Sequence, residues 1–275
     1  MSWLINITSA LLTPAYCAAV AAYSIALFRK SGAAEKWSRP ILVFTLLIHS
    51  ILIYAETMEF GHCLVYSPFE LMTLIAFTVT LTYLIVELAT GERGTGVFFI
   101  GLALFFQILS GMFSPDVSIS SDSPLLHYAV GLHISAAIFA YSAFTMSGVW
   151  GVLYLMQHHE IKANRFGLLY NRLPSLGLLE RMSAVAAIVG LIFLSLAIFI
   201  ALNWLPEVLP GFTYHDPKVI ATMIVWVLYA AAIVMKYAFR VDQRRFVLLS
   251  LLGFAGLFLS MTIVNLVLSG FHDFR

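Results

Sequence analysis

The chain has 275 residues, 61% of them hydrophobic and 11% charged, with a mean hydropathy of +0.94 and a formal net charge of +1. Soluble domains are about 45–50% apolar and about 25% charged, so a water-soluble globule, a secreted disulfide scaffold and a disordered linker are all excluded. Near-neutral charge gives no footprint for nucleic acid, and Cys17 and Cys63 form neither a disulfide framework nor a CxxC pair. The expected solvent is the lipid bilayer.

A spanning helix needs about 20 predominantly apolar residues. Eight such runs follow one another, near 4–28, 40–56, 66–88, 96–113, 126–157, 180–205, 218–239 and 246–269. None alternates with the period of a barrel strand. The expected fold is therefore all-α, a polytopic membrane protein with eight transmembrane helices in one domain over 1–275. No Lys or Arg precedes the first run, so it does not read as a cleaved signal peptide.

The connecting loops set the orientation. Arg29, Lys30, Lys36 and Arg39 follow the first run, and Arg93 follows the third. Lys162, Arg165, Arg172 and Arg181 follow the fifth, and Lys236, Arg240, Arg244 and Arg245 the seventh. Thirteen of the fifteen bases thus fall on one side of an eight-span topology, leaving Lys218 and Arg275 on the other. By the positive-inside rule both termini face outward from a multi-pass protein of the cell's inner membrane.

The outer loops hold His62, His127, His215 and His272, with Glu56, Glu59, Asp116, Asp122, Glu207, Asp216 and Asp273. His133 lies about eight residues into the fifth run, roughly 12 Å below its outer end. His158 and His159 read as a solvated helix end beside bases. His49 falls mid-span, either hydrogen-bonded to a neighbouring helix or part of a proton path. His62 and His127 sit at loop edges, as interfacial residues or as ligands. His133 and His272 come from separate helices on one side, and two such imidazoles suit a six-coordinate haem iron or another transition metal. No HExxH or i, i+4 histidine pair favours zinc. Glu70 and Glu87 stand near opposite ends of the third run, on an ion path or, for Glu87, snorkelling to the interface. Trp204, Phe212 and Tyr214 form either an interfacial belt or a platform for a flat ring.

Several stretches, in order, resemble one family. Gly61-His62, running on to Tyr66-Ser67-Pro68-Phe69-Glu70, is similar to a "GH-P-x-N-x-YE" entry into a helix. Leu132-His133-Ile134 with Ala140-Tyr141-Ser142-Ala143-Phe144 is similar to an "HV…YAAF" helix. Leu173-Pro174-Ser175-Leu176, running to Leu179-Glu180-Arg181, resembles a short amphipathic segment before the sixth span. His215-Asp216-Pro217-Lys218 with Trp226-Val227-Leu228-Tyr229-Ala230 is similar to "W-x-W-D-P-K-E … W-L-I-Y-A". Gly270-Phe271-His272-Asp273-Phe274 resembles a terminal "GLHSF". These motifs resemble the haem-handling cytochrome c assembly proteins of the CcsA/CcmC/CcmF group, most of all a short HemX-like branch.

The resemblance implies non-covalent haem b at the outer face, with His133 and His272 as axial ligands and His62, Glu70, His215, Asp216 and Lys218 around the ring. Lys218 would meet a propionate through a charge-assisted hydrogen bond, or else pair with Asp216. The implied role is presenting or transporting haem for cytochrome c maturation. Two alternatives stand beside it: a HemX-like accessory or regulator of tetrapyrrole synthesis, and a non-haem transporter or redox-complex anchor. The chain departs from the family where Thr213 and His215 replace platform tryptophans, where Val219 replaces a Glu, and near Val234, where an intramembrane His is missing. With no CxxC of its own, thioether formation would need a CcsB-type or thioredoxin-like partner acting on apocytochrome c.

Overall fold

The computed structural model describes residues 2–29, 31–60, 68–112, 127–164, 173–208 and 213–259. Those residues form eight helices, α1 (Ser2–Arg29), α2 (Gly32–Phe60), α3 (Pro68–Thr90), α4 (Gly96–Ser110), α5 (Tyr128–Lys162), α6 (Leu176–Val208), α7 (Pro217–Tyr237) and α8 (Gln243–Leu259). Each lies on one of the eight apolar runs. Six of them, α1, α2, α3, α5, α6 and α7, are long and apolar enough to cross a membrane. The fourth run yields a 15-residue helix, about 22 Å long against a hydrocarbon core of roughly 30 Å. Its helix stops at Gly111, short of the expected 113. The chain is a multi-pass helical membrane protein.

Helix α2 shows why these segments fold this way. Phe44, Leu47, Ile51, Tyr54 and Met58 recur at helical spacing and are exposed, whereas Thr45, His49, Leu52 and Glu56 are buried. The apolar stripe faces outward and the polar groups face protein, the reverse of a soluble helix. With lipid outside, that arrangement turns the polar groups toward protein, where Thr45 and His49 Nδ1 are hydrogen-bonded to α1.

The chain divides into two compact units, Met1–Phe139 and Ala140–Arg275, with the division inside α5. In the first, α1 packs on α2 and α4, and α3 packs on α2 and α4. Helix α3 ends because Gly91, at φ +77, takes the left-handed conformation that favours glycine and returns its N–H to the Glu87 carbonyl. Beyond it, Arg39 and Arg93 converge on Glu87, 2.7 and 3.3 Å from Oε1, while the Tyr23 hydroxyl donates to Oε2. Glu87 is fully buried, so it does not snorkel to solvent; two guanidiniums bring their charge to it instead.

In the second unit α7 packs on α6 and α8. Ser147 and Ser183 exchange hydrogen bonds, each hydroxyl donating to the other's carbonyl at 2.9–3.0 Å, so α5 and α6 approach closely through small residues. The Phe144 ring lies flat on Tyr229, centroids 3.8 Å apart. A Cβ at Gly190 would fall 2.5 Å from Phe144, and one at Gly253 2.8 Å from Tyr229. Two stacked rings therefore fill the space between two glycines, joining α6, α5, α7 and α8 in one sandwich. The segment from Leu176 to Arg181 is not a separate amphipathic piece before the sixth span. It is the first turns of α6, where Glu180 is buried and accepts from the Lys236 ammonium of α7.

Candidate functional site

Helix α7 begins with a strong start signal. Asp216 is its N-cap, with Oδ1 accepting the Lys218 backbone N–H at 2.8 Å, and Pro217 takes the first helical position, where no N–H is needed. Asp216 is buried, His215 is exposed and Lys218 lies between those extremes. The Asp216 carboxylate also acts electrostatically on the Lys218 ammonium. Asp216-Pro217-Lys218 thus has a helix-starting role whatever else it binds.

Directly after this start lies an open apolar cleft of about 450 Å³, lined by Leu202 of α6, by Tyr214, and by Ile220, Met223, Ile224 and Val227 of α7. That volume falls within the range of small-molecule sites. Its walls are apolar, and Tyr214 and Val219, which flank the Asp216–Lys218 turn in the chain, are among them. Among the described residues no imidazole lines it.

His133 sits five residues into α5, because that helix starts at Tyr128 rather than 126. It is therefore about 7.5 Å from the helix end, and it is partly buried and already partnered. His127 caps the same helix: its Nδ1 accepts the Ala129 N–H at 3.2 Å and its ring stacks on Tyr128. Glu70 is buried in the first turn of α3, where a carboxylate is favoured by the helix dipole. His62 and His272 lie outside the described residues, as do Phe212, Asp116, Asp122 and the terminal Gly270–Phe274 stretch. His215, Asp216 and Lys218 are thus gathered at one turn of the second unit, whereas His133 and Glu70 belong to the first.

The other motif residues do packing work. The Tyr141 hydroxyl bonds to Thr222, Phe144 stacks on Tyr229, and the Trp226 indole donates to Ser195 Oγ at 2.8 Å. The "YAAF"-like and "WLIYA"-like stretches meet one another and fasten α7 to α5 and α6. His49 is hydrogen-bonded to a neighbouring helix through Tyr16, 3.0 Å away.

The partners of Glu87 and Glu180 were not foreseen from sequence. A carboxylate within four residues of a helix end, facing several loop bases, was the available signal. Among the described residues no group of three or more His, Cys, Asp or Glu is placed to hold a bare metal ion. A porphyrin supplies four nitrogens itself and asks only for axial donors and an apolar cleft; the cleft after Lys218 meets the second need.

The profile of the family described as cytochrome C assembly protein matches residues 66–272. The chain is 30% identical over 178 residues to protein HemX of Brevibacillus brevis, covering 64% of this chain and 65% of that protein. It is 31% identical over 136 residues to protein HemX of Bacillus subtilis (strain 168), covering 49% of each. The chain thus aligns with about half to two thirds of the length of these relatives. A match running from the entry to α3 through the end of the last apolar run, on an all-helical multi-pass scaffold, means that the chain belongs to the cytochrome C assembly protein family, of the CcsA/CcmC type and HemX-like.

Proposed function

We propose that this chain is a haem-binding protein of the inner membrane that presents or transports haem at its outer face for cytochrome c maturation. The reading is supported chiefly by membership of the cytochrome C assembly protein family; the apolar cleft that follows the Asp216-Pro217-Lys218 turn in the chain offers walls that suit a flat ring. Haem is cargo here, held without a covalent bond by a single domain over 1–275. His133 and His272 supply the axial imidazoles, and His62, Glu70 and His215 complete the surroundings. The partners are apocytochrome c and a CcsB-type or thioredoxin-like protein that forms the thioether.

Two measurements test this. Purified protein is expected to show a low-spin Soret and α/β spectrum that His133→Gly and His272→Gly each largely remove and that added imidazole partly restores. Asp216→Asn, which keeps a capping side chain, is expected to retain it. Unchanged haem content in both glycine variants overturns the ligand assignment and moves it to His62 and His215. For orientation, a reporter active only outside the cytoplasm is expected to work after Arg275 and to fail after Arg240; the reverse pattern places the cleft on the wrong face.

A second reading, an accessory or regulator of tetrapyrrole synthesis, draws on the likeness to two HemX proteins and on Thr213 and His215 at the platform positions. Deleting the gene separates the two. Loss of haem-stained c-type cytochromes favours delivery; their persistence with altered tetrapyrrole precursors favours regulation.

A further inference from the structure

Helices α1 to α4 hold a polar feature that the haem reading touches only at Glu70. His49 is fully buried midway along α2. The Tyr16 oxygen lies 3.0 Å from its Nδ1, 3.1 Å from Thr80 Oγ1 and 3.3 Å from the Ala76 carbonyl. Thr80 donates its own proton to that carbonyl at 2.7 Å. The Tyr16 hydroxyl donates to the Ala76 carbonyl as well, which leaves the Tyr16 oxygen free to accept Nδ1–H of His49. This tautomer leaves a lone pair on Nε2, which is buried with no hydrogen-bond partner among the described residues.

Two further buried oxygens without partners, Glu56 Oε1 and Gln107 Oε1, lie toward one end of the same bundle. Glu56 is seven residues from His49 on the same face of α2, about 10 Å along it, and the Glu70 carboxylate acts on it electrostatically. From Glu70 the polar groups continue through Thr73, whose Oγ1 is 2.5 Å from Ser110 Oγ. Gln107 is three residues back from Ser110 on α4, so it sits between the levels of Thr73 and Thr80. Buried polar groups of α3 and α4 thus lie between the level of the two glutamates and that of His49.

On the other side of His49 stand the buried Thr45 and the unpartnered Thr82 hydroxyl, and beyond them an aromatic layer. Tyr23 meets Tyr83 edge-on at 5.9 Å, and Tyr83 stacks on Phe99 at 6.0 Å. Behind that aromatic layer Glu87 is taken up by Arg39 and Arg93.

We propose that the first unit contains a one-sided proton track, in which water entering at the Glu56–Glu70 end carries protons to Nε2 of His49. Buried polar atoms without protein partners are where ordered water sits, and ionisable side chains inside membrane helices mark proton relays. Uptake places the proton on Nε2, giving an imidazolium whose Nδ1–H is still donated to Tyr16. The donor is the carboxyl of Glu56, which regains its proton from bulk water. Among the described residues, α1 brings Tyr16 to His49. Helix α3 brings Glu70 at one end and Glu87 at the other, and α4 brings no titratable group. Helix α5 presents Phe139 to the Phe77 ring beside the imidazole, with Tyr128 and His133 preceding it.

The test is hydrogen–deuterium exchange at the imidazole C2–H of each histidine, read by mass spectrometry on the full chain in lipid nanodiscs. Wild-type His49 is expected to exchange within about tenfold of exposed His215, because water reaches it without global opening. Gln107→Leu, which fills the middle of the track with an apolar group, is expected to slow His49 about tenfold and leave His215 unchanged. Glu56→Leu is the second variant, read in the same way should the first not fold. Wild-type exchange at His49 already as slow as in the leucine variants overturns the proposal.

Discussion

Glu87→Leu is expected to lower the thermal unfolding midpoint by roughly 5–10 °C, equivalent to about 2–3 kcal/mol. The carboxylate is fully buried and satisfies Arg39, Arg93 and the Tyr23 hydroxyl together. Removing it leaves two guanidiniums facing each other without an anion between them. Breaking a fully buried ion pair costs about 3–5 kcal/mol; the estimate here is lower because the arginine side chains are 30% and 26% exposed, so water screens them in part. Adding Arg39→Leu to Glu87→Leu is expected to recover part of the loss, since one repelling charge goes. A midpoint unchanged in Glu87→Leu, by thermal shift in detergent or nanodiscs, would mean that solvent already satisfies both arginines.

Gly190→Ala is expected to cost about 2–3 kcal/mol, the upper part of the range for overpacking a filled core. Its new methyl would stand 2.5–2.6 Å from two ring atoms of Phe144. The ring has nowhere to retreat, because Tyr229 lies flat behind it at 3.8 Å and Gly253 leaves no slack behind Tyr229. Something in four helices must shift. Pairing Gly190→Ala with Phe144→Leu is expected to restore part of the stability, a coupling that a double-mutant cycle in the same thermal assay would measure. Additive losses in the double variant would show that the strain is relieved elsewhere.

Much of the helical layout could be read from the residues. Each apolar run became a helix because a bilayer allows few other solutions for the backbone, and the bounds slipped where caps decide them. Tyr128 opens α5 two residues late because His127 takes the cap, and Leu176 opens α6 four residues early because nothing charged interrupts it before Glu180. The pairings were not legible. Which base reaches Glu87, and that Lys236 reaches Glu180, depends on which loops come together at one end, information that local patterning does not carry. The site was legible only in part. Asp216-Pro217-Lys218 announced a helix start and an isolated base, but the cleft beside it is made of ordinary aliphatic residues whose spacing resembles any lipid-facing stripe.

The aromatic sandwich changes what likeness within this family measures. Tyr141, Phe144, Trp226 and Tyr229 belong to the stretches whose motifs resemble the family, and each is occupied in fastening one helix to another. Likeness over α5 to α7 therefore measures how helices are fastened before it measures anything bound. A relative could exchange its ligand entirely and still align, and a chain could keep its ligand while drifting beyond detection once the ring-and-glycine stack is rebuilt.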